Sequence, residues 1–216
     1  MKLRLLTASI LLATACGVAA CGGGAVGSAD TKALNVPAKE ELLQEGPLGD
    51  RVIGKASAPV TIIEYASLTC PHCRAYHRDV FPRVKRELID TGKVRYIIRE
   101  FPIGRTAGTA AIITRCGPAE KNLYYTEQFL ARQPEWVSQE VREDAIFQVA
   151  KAGGMSRETF DKCLSNQTII DGLNEVKQRG RKFGVIGTPT LFINGQKAQG
   201  TVTYEQIKAM LAPQAS

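Results

Sequence analysis

The chain has 216 residues, 44% of them hydrophobic and 23% charged, with a formal net charge of +7. That balance suits one folded domain of moderate size and excludes a fibre or a disordered polymer. Lysines and arginines are interspersed with acids, as at Arg78-Asp79, Lys85-Arg86-Glu87 and Arg157-Glu158. They gather on no tail or face, so no nucleic-acid partner is expected.

The first twenty residues are a basic start, Lys2 and Arg4, followed by the apolar run Leu5 to Ala20, too short to span a bilayer with ease. This reads as an export signal over residues 1–20. Val18-Ala19-Ala20-Cys21 is the small-residue pattern that precedes an acylated cysteine, which makes Cys21 a candidate lipid anchor and a membrane a candidate partner. Cleavage after Ala15 or Ala20, giving a soluble protein, and an uncleaved membrane tether are the alternative readings. Cys16 is assigned to the discarded peptide. Loss of Lys2 and Arg4 with that peptide leaves 26 basic residues against 21 acidic ones, a net +5. Residues 21–45, with Gly22-Gly23-Gly24-Ala25-Val26-Gly27-Ser28, are read as a flexible tether. The fold is expected to begin between Leu42 and Asp50.

Val60-Thr61-Ile62-Ile63-Glu64-Tyr65-Ala66 is β-branched and apolar and predicts a buried strand. From Pro71 to Ile89 the apolar positions Tyr76, Val80, Val84 and Leu88 recur every fourth residue, predicting one helix that Asp90-Thr91-Gly92 ends. Val94 to Phe101 supplies a second strand, completing a βαβ unit. Between Arg105 and Phe183 no strand-like run occurs, and helix formers recur around breaks at Gly117-Pro118, Pro134, Gly153-Gly154 and Asn166. The chain closes with Pro189 to Ile193, the turn Asn194-Gly195, Gln196 to Gln199 and a helix from Tyr204 to Leu211. The class is therefore α/β with an inserted helical subdomain. Trp136 and the pair Tyr124-Tyr125 are read as core or subdomain-surface residues without a functional role.

Outside the signal and the candidate anchor four cysteines remain, Cys70, Cys73, Cys116 and Cys163, an even number suited to an oxidising compartment. Cys70-Pro71-His72-Cys73 falls where a strand hands over to a helix. Cys70 would then face the unpaired amides and positive dipole end of that helix, which favour a thiolate. Pro71 suits the first helical position, having no N–H to leave unpaired. His72 adds a further donor through its ring or its backbone N–H. Stabilising the thiolate stabilises the dithiol and makes the disulfide the stronger oxidant. Cys73, one turn inward, is the expected resolving thiol. A zinc clip needs four ligands, and neither a second close pair nor His72 and His77 complete one, so no metal and no cofactor are expected. Haem attachment requires histidine where Arg74 stands.

Through Cys70-Pro71-His72-Cys73 and, later, Gly187-Thr188-Pro189-Thr190, the sequence resembles the DsbA family of exported disulfide oxidoreductases from about residue 45 to the C-terminus. The resemblance implies a thioredoxin-like domain from residues 46–104 and 184–216, with the helical insertion at 105–183. It implies that Pro189 follows a cis bond beside the dithiol, with Thr188 offering backbone groups to an extended client. It also implies that Glu64, six residues before Cys70, is a buried acid that accepts the Cys73 proton, the alternative being a solvent-facing strand residue. Some members carry a second disulfide in the insertion, which would join Cys116 and Cys163 as a structural bridge.

The function so implied is a disulfide oxidase acting on reduced exported proteins in the cell envelope and recharged by a quinone-linked, DsbB-like membrane partner. Thr188, where the best-known members have valine, leaves an isomerase or reductase open. Copper(I) delivery through Cys70 and Cys73 is a third reading.

Overall fold

Buried apolar residues concentrate in the three middle strands of the sheet, and its two edge strands are short. The structure is a computed structural model and describes residues 39–211. The expected export signal, Cys16, Cys21 and residues 21–38 of the expected tether lie outside the described residues.

The sheet has five strands, β1 (Arg51–Ile53), β2 (Val60–Ala66), β3 (Val94–Glu100), β4 (Thr190–Ile193) and β5 (Gln196–Gln199). Their order is β1-β3-β2-β4-β5, and only β2 and β3 run parallel. β2 is central, and six of its seven residues are buried. Alternation along it sorts the core into two faces. Ile62, Glu64 and Ala66 point to one side with Tyr96, Ile98, Leu191 and Ile193, while Ile63 and Tyr65 point to the other with Ile97 and Phe192. The tight turn joining β4 to β5 is Asn194-Gly195, with φ of 50° and 88°, the left-handed pair such a connection requires.

Helices cover both faces. They are α1 (Lys39–Leu43), α2 (Pro71–Asp79), α3 (Phe81–Val84), α4 (Gly104–Cys116), α5 (Asn122–Ala131), α6 (Gln133–Trp136), α7 (Glu143–Ala152), α8 (Arg157–Leu164), α9 (Gln167–Lys182) and α10 (Tyr204–Leu211). Helices α4 to α9 form the insertion between β3 and β4. Asn166 caps α9 by accepting from the Ile169 N–H. α9 approaches the sheet closely at Gly180, where a Cβ would come within 2.9 Å of the Tyr65 ring. Trp136 and Tyr125 are buried, whereas Tyr124 is partly exposed. None of the described helices is long and apolar enough to cross a membrane.

Two expectations are corrected. The run from Pro71 to Ile89 is not one helix: α2 stops at Asp79, Val80 stays in the right-handed region but with φ stretched to −113°, and α3 restarts before a π-helical turn at Lys85–Ile89. Pro82 is the cause, since it has no N–H to donate back to Arg78 and its ring crowds that carbonyl. The tether, expected to reach residue 45, gives way earlier, because α1 is helical from Lys39 and Leu42 is buried. The carbonyls of Leu42 and Gln44 accept hydrogen bonds from the Arg99 guanidinium, which also binds Asp50 at 3.0 and 2.8 Å. One buried arginine thus ties residues 42–50 to β3.

Candidate active site

Cys70 ends the loop after β2 and is the N-cap of α2, with Pro71 in the first turn. Its N–H donates to the Ser67 carbonyl at 3.0 Å, and its own carbonyl accepts from Arg74 at 3.1 Å. Cys70 is half-buried, Cys73 is fully buried, and both are thiols.

The two sulfurs have opposite environments. The Cys70 pKa is lowered from an ordinary 9.0 to about 5, first by the Cys73 thiol. The Thr188 side chain and the backbone N–H groups of Cys73 and His72 add to this, against the opposing effect of burial. Those amides are the unpaired donors at the start of α2, so the helix end adds a smaller share to a stabilisation that the Cys73 thiol leads. The His72 ring is exposed, and the residue contributes through its backbone. Cys73 is pushed far above the usual thiol range, first by burial, then by its hydrogen bond to Cys70 and the negative charge of Glu64.

Thr188 and Pro189 complete one wall. Their peptide bond is cis, and the Cys70 thiol donates to the Thr188 carbonyl at 3.2 Å. The Thr188 hydroxyl is buried in this wall with no other group to bond, which leaves it to the Cys70 thiolate. Just outside stand two exposed apolar side chains, Ile186, two residues before Thr188 and 83% exposed, and Ile103, 52% exposed. Ile103 is held beside the dithiol loop by its N–H to Ser67 Oγ and its carbonyl from Thr69 Oγ1.

Beneath the dithiol, Glu64 is completely buried. Its Oε2 accepts from the Tyr96 hydroxyl at 2.8 Å and lies 3.0 Å from His77 Nε2, while Oε1 is buried with no partner. The Tyr76 and Tyr96 hydroxyls are 3.2 Å apart, and both are raised above the ordinary tyrosine range by burial first and by the Glu64 charge second. The solvent-facing reading of Glu64 is set aside by this burial.

Two residues of this site had no place in the sequence reading as redox groups. His77 entered only as a possible metal ligand, although it lies four residues after Cys73 and hence on the same helix face. Gln133, at the start of α6, donates from Nε2 to the carbonyls of Leu68 and Cys70 at 2.8 and 2.9 Å. It ties the insertion to the dithiol loop across more than sixty residues of sequence, and no local signal announces it.

Cys116, at the end of α4, and Cys163, in α8, are joined at an S–S distance of 2.05 Å, well away in sequence from the dithiol. Among the described residues no group of three or more His, Cys, Asp or Glu side chains is placed to hold a metal ion.

This geometry has counterparts among known proteins. A protein of Rickettsia typhi named a protein-disulfide oxidoreductase is 33% identical over 154 residues, which is 69% of this chain and 56% of that protein. A Rickettsia bellii protein of the same designation is 33% identical over 185 residues, 77% of this chain and 70% of its own length. The chain thus spans little more than half the length of the first of these relatives. The crystal structure of Wolbachia pipientis alpha-DsbA1 superposes with a TM-score of 0.73 at 28% identity, covering 81% of this chain and 94% of that one. A family model described as Thioredoxin matches residues 48–212. With this match over most of its length, the chain belongs to the thioredoxin family.

Proposed function

We propose that the protein is an exported thiol-disulfide oxidoreductase of DsbA type, working as an oxidase that passes the Cys70–Cys73 disulfide to reduced envelope or secreted proteins. The observation that carries this reading is the asymmetry of the two thiols, Cys70 held near pKa 5 at a helix N-terminus and Cys73 buried and strongly raised. A client thiolate attacks Cys70, the sulfur it can reach, and Cys73 departs with the bonding electrons. Cys70 then leaves readily from the mixed disulfide, because a thiol of low pKa is a good leaving group. Each pKa unit that survives solvent screening of this half-exposed group raises the potential by roughly 30 mV.

The remaining roles follow from this chemistry. Pro71 presets the helical turn, and His72 gives its amide to the thiolate. Thr188 and Pro189 form the wall along which an extended client lies. Ile103 and Ile186 offer that client an apolar rim. Glu64 takes the proton of Cys73 when the dithiol closes and returns it when the disulfide opens. Cys116–Cys163 is a structural bridge. Recharging falls to a quinone-linked membrane protein of DsbB type, and acylation of Cys21 would keep the enzyme at the membrane where that partner resides. Work in the periplasmic compartment suits the export signal and the even count of four cysteines in the folded part.

The test is the equilibrium reduction potential of Cys70–Cys73 in glutathione buffers, with Cys16 and Cys21 replaced by serine and free thiols counted by mass labelling. A value well above the roughly −270 mV of thioredoxin is expected, with Cys116 and Cys163 joined throughout. A thioredoxin-like value makes the protein a reductase, and a pair that never cycles ends the redox reading.

A further inference from the structure

The buried carboxylate under the dithiol does not stand alone. Glu64 Oε2 lies 3.0 Å from His77 Nε2, and the two side chains are 0% and 4% exposed. With Oε2 already accepting from Tyr96, this leaves Oε1 buried and unpaired, a lone pair with no competitor for a proton. The His77 ring is clamped by Phe81, at a centroid distance of 4.6 Å, and by Tyr76 at 5.6 Å, so the contact with Glu64 is fixed rather than sampled.

His77 is itself buried, its Nδ1 without a partner, yet its side chain borders the surface. It lines a groove of about 230 Å³ between α2 and α5 together with Arg74, Arg78, Glu127, Leu130 and Ala131. The same side chain therefore touches the buried carboxylate and borders solvent-accessible space. A carboxylate sealed at 0% exposure needs such a neighbour if it is to exchange protons within a catalytic cycle.

We propose that His77 is a positioning residue for the inner thiol, sharing with Glu64 the proton that Cys73 surrenders or receives and relaying it towards the α2–α5 groove. The proposal rests on the reading that Cys70–Cys73 is the redox pair and that Glu64 serves Cys73. When a client thiolate attacks Cys70 Sγ, the Cys70–Cys73 bond breaks and its electron pair goes to Cys73. Cys73 takes the proton held by Glu64, and His77 resupplies it from Nε2. Closing the disulfide runs the same steps backwards, with the client as the leaving thiolate. Around Glu64 the other titratable groups are Cys73 and Tyr76 of α2 and Tyr96 of β3. Its strand neighbours Ile98 and Leu191 and the ring of Phe81 in α3 do not titrate. Around the outer edge of His77 stand Arg74 and Arg78 of α2, the latter paired to Asp79, and Glu127 of α5.

The experiment follows the rate at which Cys73 resolves the Cys70–glutathione mixed disulfide between pH 5 and 9, in the full chain with Cys16 and Cys21 replaced by serine. His77→Gln keeps a donor near the Nε2 position and cannot carry a proton. It is expected to slow resolution about tenfold near neutral pH and to flatten the pH profile, while the Cys70 titration stays in place. Glu64→Gln should do the same, and the double variant should add little to either. An His77→Gln profile that superimposes on the wild type while Glu64→Gln is altered overturns the role of His77 and leaves that of Glu64. Unaltered profiles in both overturn the two together, and an His77→Gln variant whose Cys70 titration moves with the rate places the histidine on the wrong thiol. The chain has only two histidines, so the His77 ring can also be titrated by NMR in the unsubstituted site. The pH dependence of its ring resonances should differ between the dithiol and disulfide forms. A pH dependence indifferent to the redox state contradicts the proposal even if His77→Gln does not fold.

Discussion

Two buried glutamates stand on the same face of the sheet, Glu64 on β2 and Glu100 on β3, two register positions apart because Glu64 pairs with Ile98 and Ala66 with Glu100. Glu100 has both oxygens taken by one guanidinium, Arg115 Nε at 2.6 Å and Nη2 at 2.8 Å, and Arg115 reaches on to the Gly49 carbonyl at 2.9 Å. Glu64 has one oxygen shared by a tyrosine and a histidine and the other bare. A carboxylate paired with a fixed cation holds structure together, since its charge is cancelled and each oxygen has its donor. A carboxylate left half-satisfied next to a thiol retains the capacity to take a proton. Burial alone does not separate the two cases, and hydrogen-bond saturation does.

Removing the arginine is the costliest change to either carboxylate site. Arg115→Leu strands the Glu100 charge in the interior and should cost about 3–5 kcal/mol in urea unfolding, with the Cys70 titration unmoved. One residue further along α4, replacing Cys116 and Cys163 by serine frees a sequence separation of 47 residues. The expected loss is about 2–4 kcal/mol of stability, again with the dithiol potential unchanged. Gln133→Leu leaves the carbonyls of Leu68 and Cys70 short of a donor and should cost about 1–3 kcal/mol. Unlike the first two changes, it should also disturb the Cys70 titration, because the loop it holds carries that thiol. Glu64→Gln is the mildest for the fold, within about 1 kcal/mol, since it removes a buried charge that has no fixed cation. An unfolding loss as large as that of Arg115→Leu would erase the distinction between the two carboxylates.

Strands β2 to β5, the dithiol and the β4–β5 turn were legible in the sequence because their signals are local. Ile and Val in a run, two cysteines two residues apart, and Asn194-Gly195 with its need for positive φ each say what they are within a few positions. β1 left no such signal, being three residues long and held by antiparallel pairing to β3. The break after Asp79 was written in Pro82 but masked by the apolar spacing of Tyr76, Val80, Val84 and Leu88, which continues across it. Arg99 and Arg115 entered only as part of the net charge, because their partners Asp50 and Glu100 meet them through folding. His77 was present in the spacing from Cys73, but its meaning depends on Glu64 arriving from the neighbouring strand.

The asymmetry of the dithiol also sets a pH dependence of stability. In the folded dithiol Cys70 titrates near 5, below the ordinary value of 9.0, so between these values the unfolded chain binds more protons. The stabilisation is fully present above pH 9 and is lost as pH falls through about 5. The unfolding free energy of the dithiol form, less that of the disulfide form, should therefore rise from pH 5 to pH 9.

The most direct measurement is the thiolate absorbance of the dithiol form near 240 nm across pH 3 to 10, with Cys70→Ser as the control. A midpoint near 5 that vanishes in Cys70→Ser is the predicted result. A midpoint near the ordinary 9, or one that survives the loss of Cys70, would contradict the assignment of Cys70 as the activated sulfur of this site.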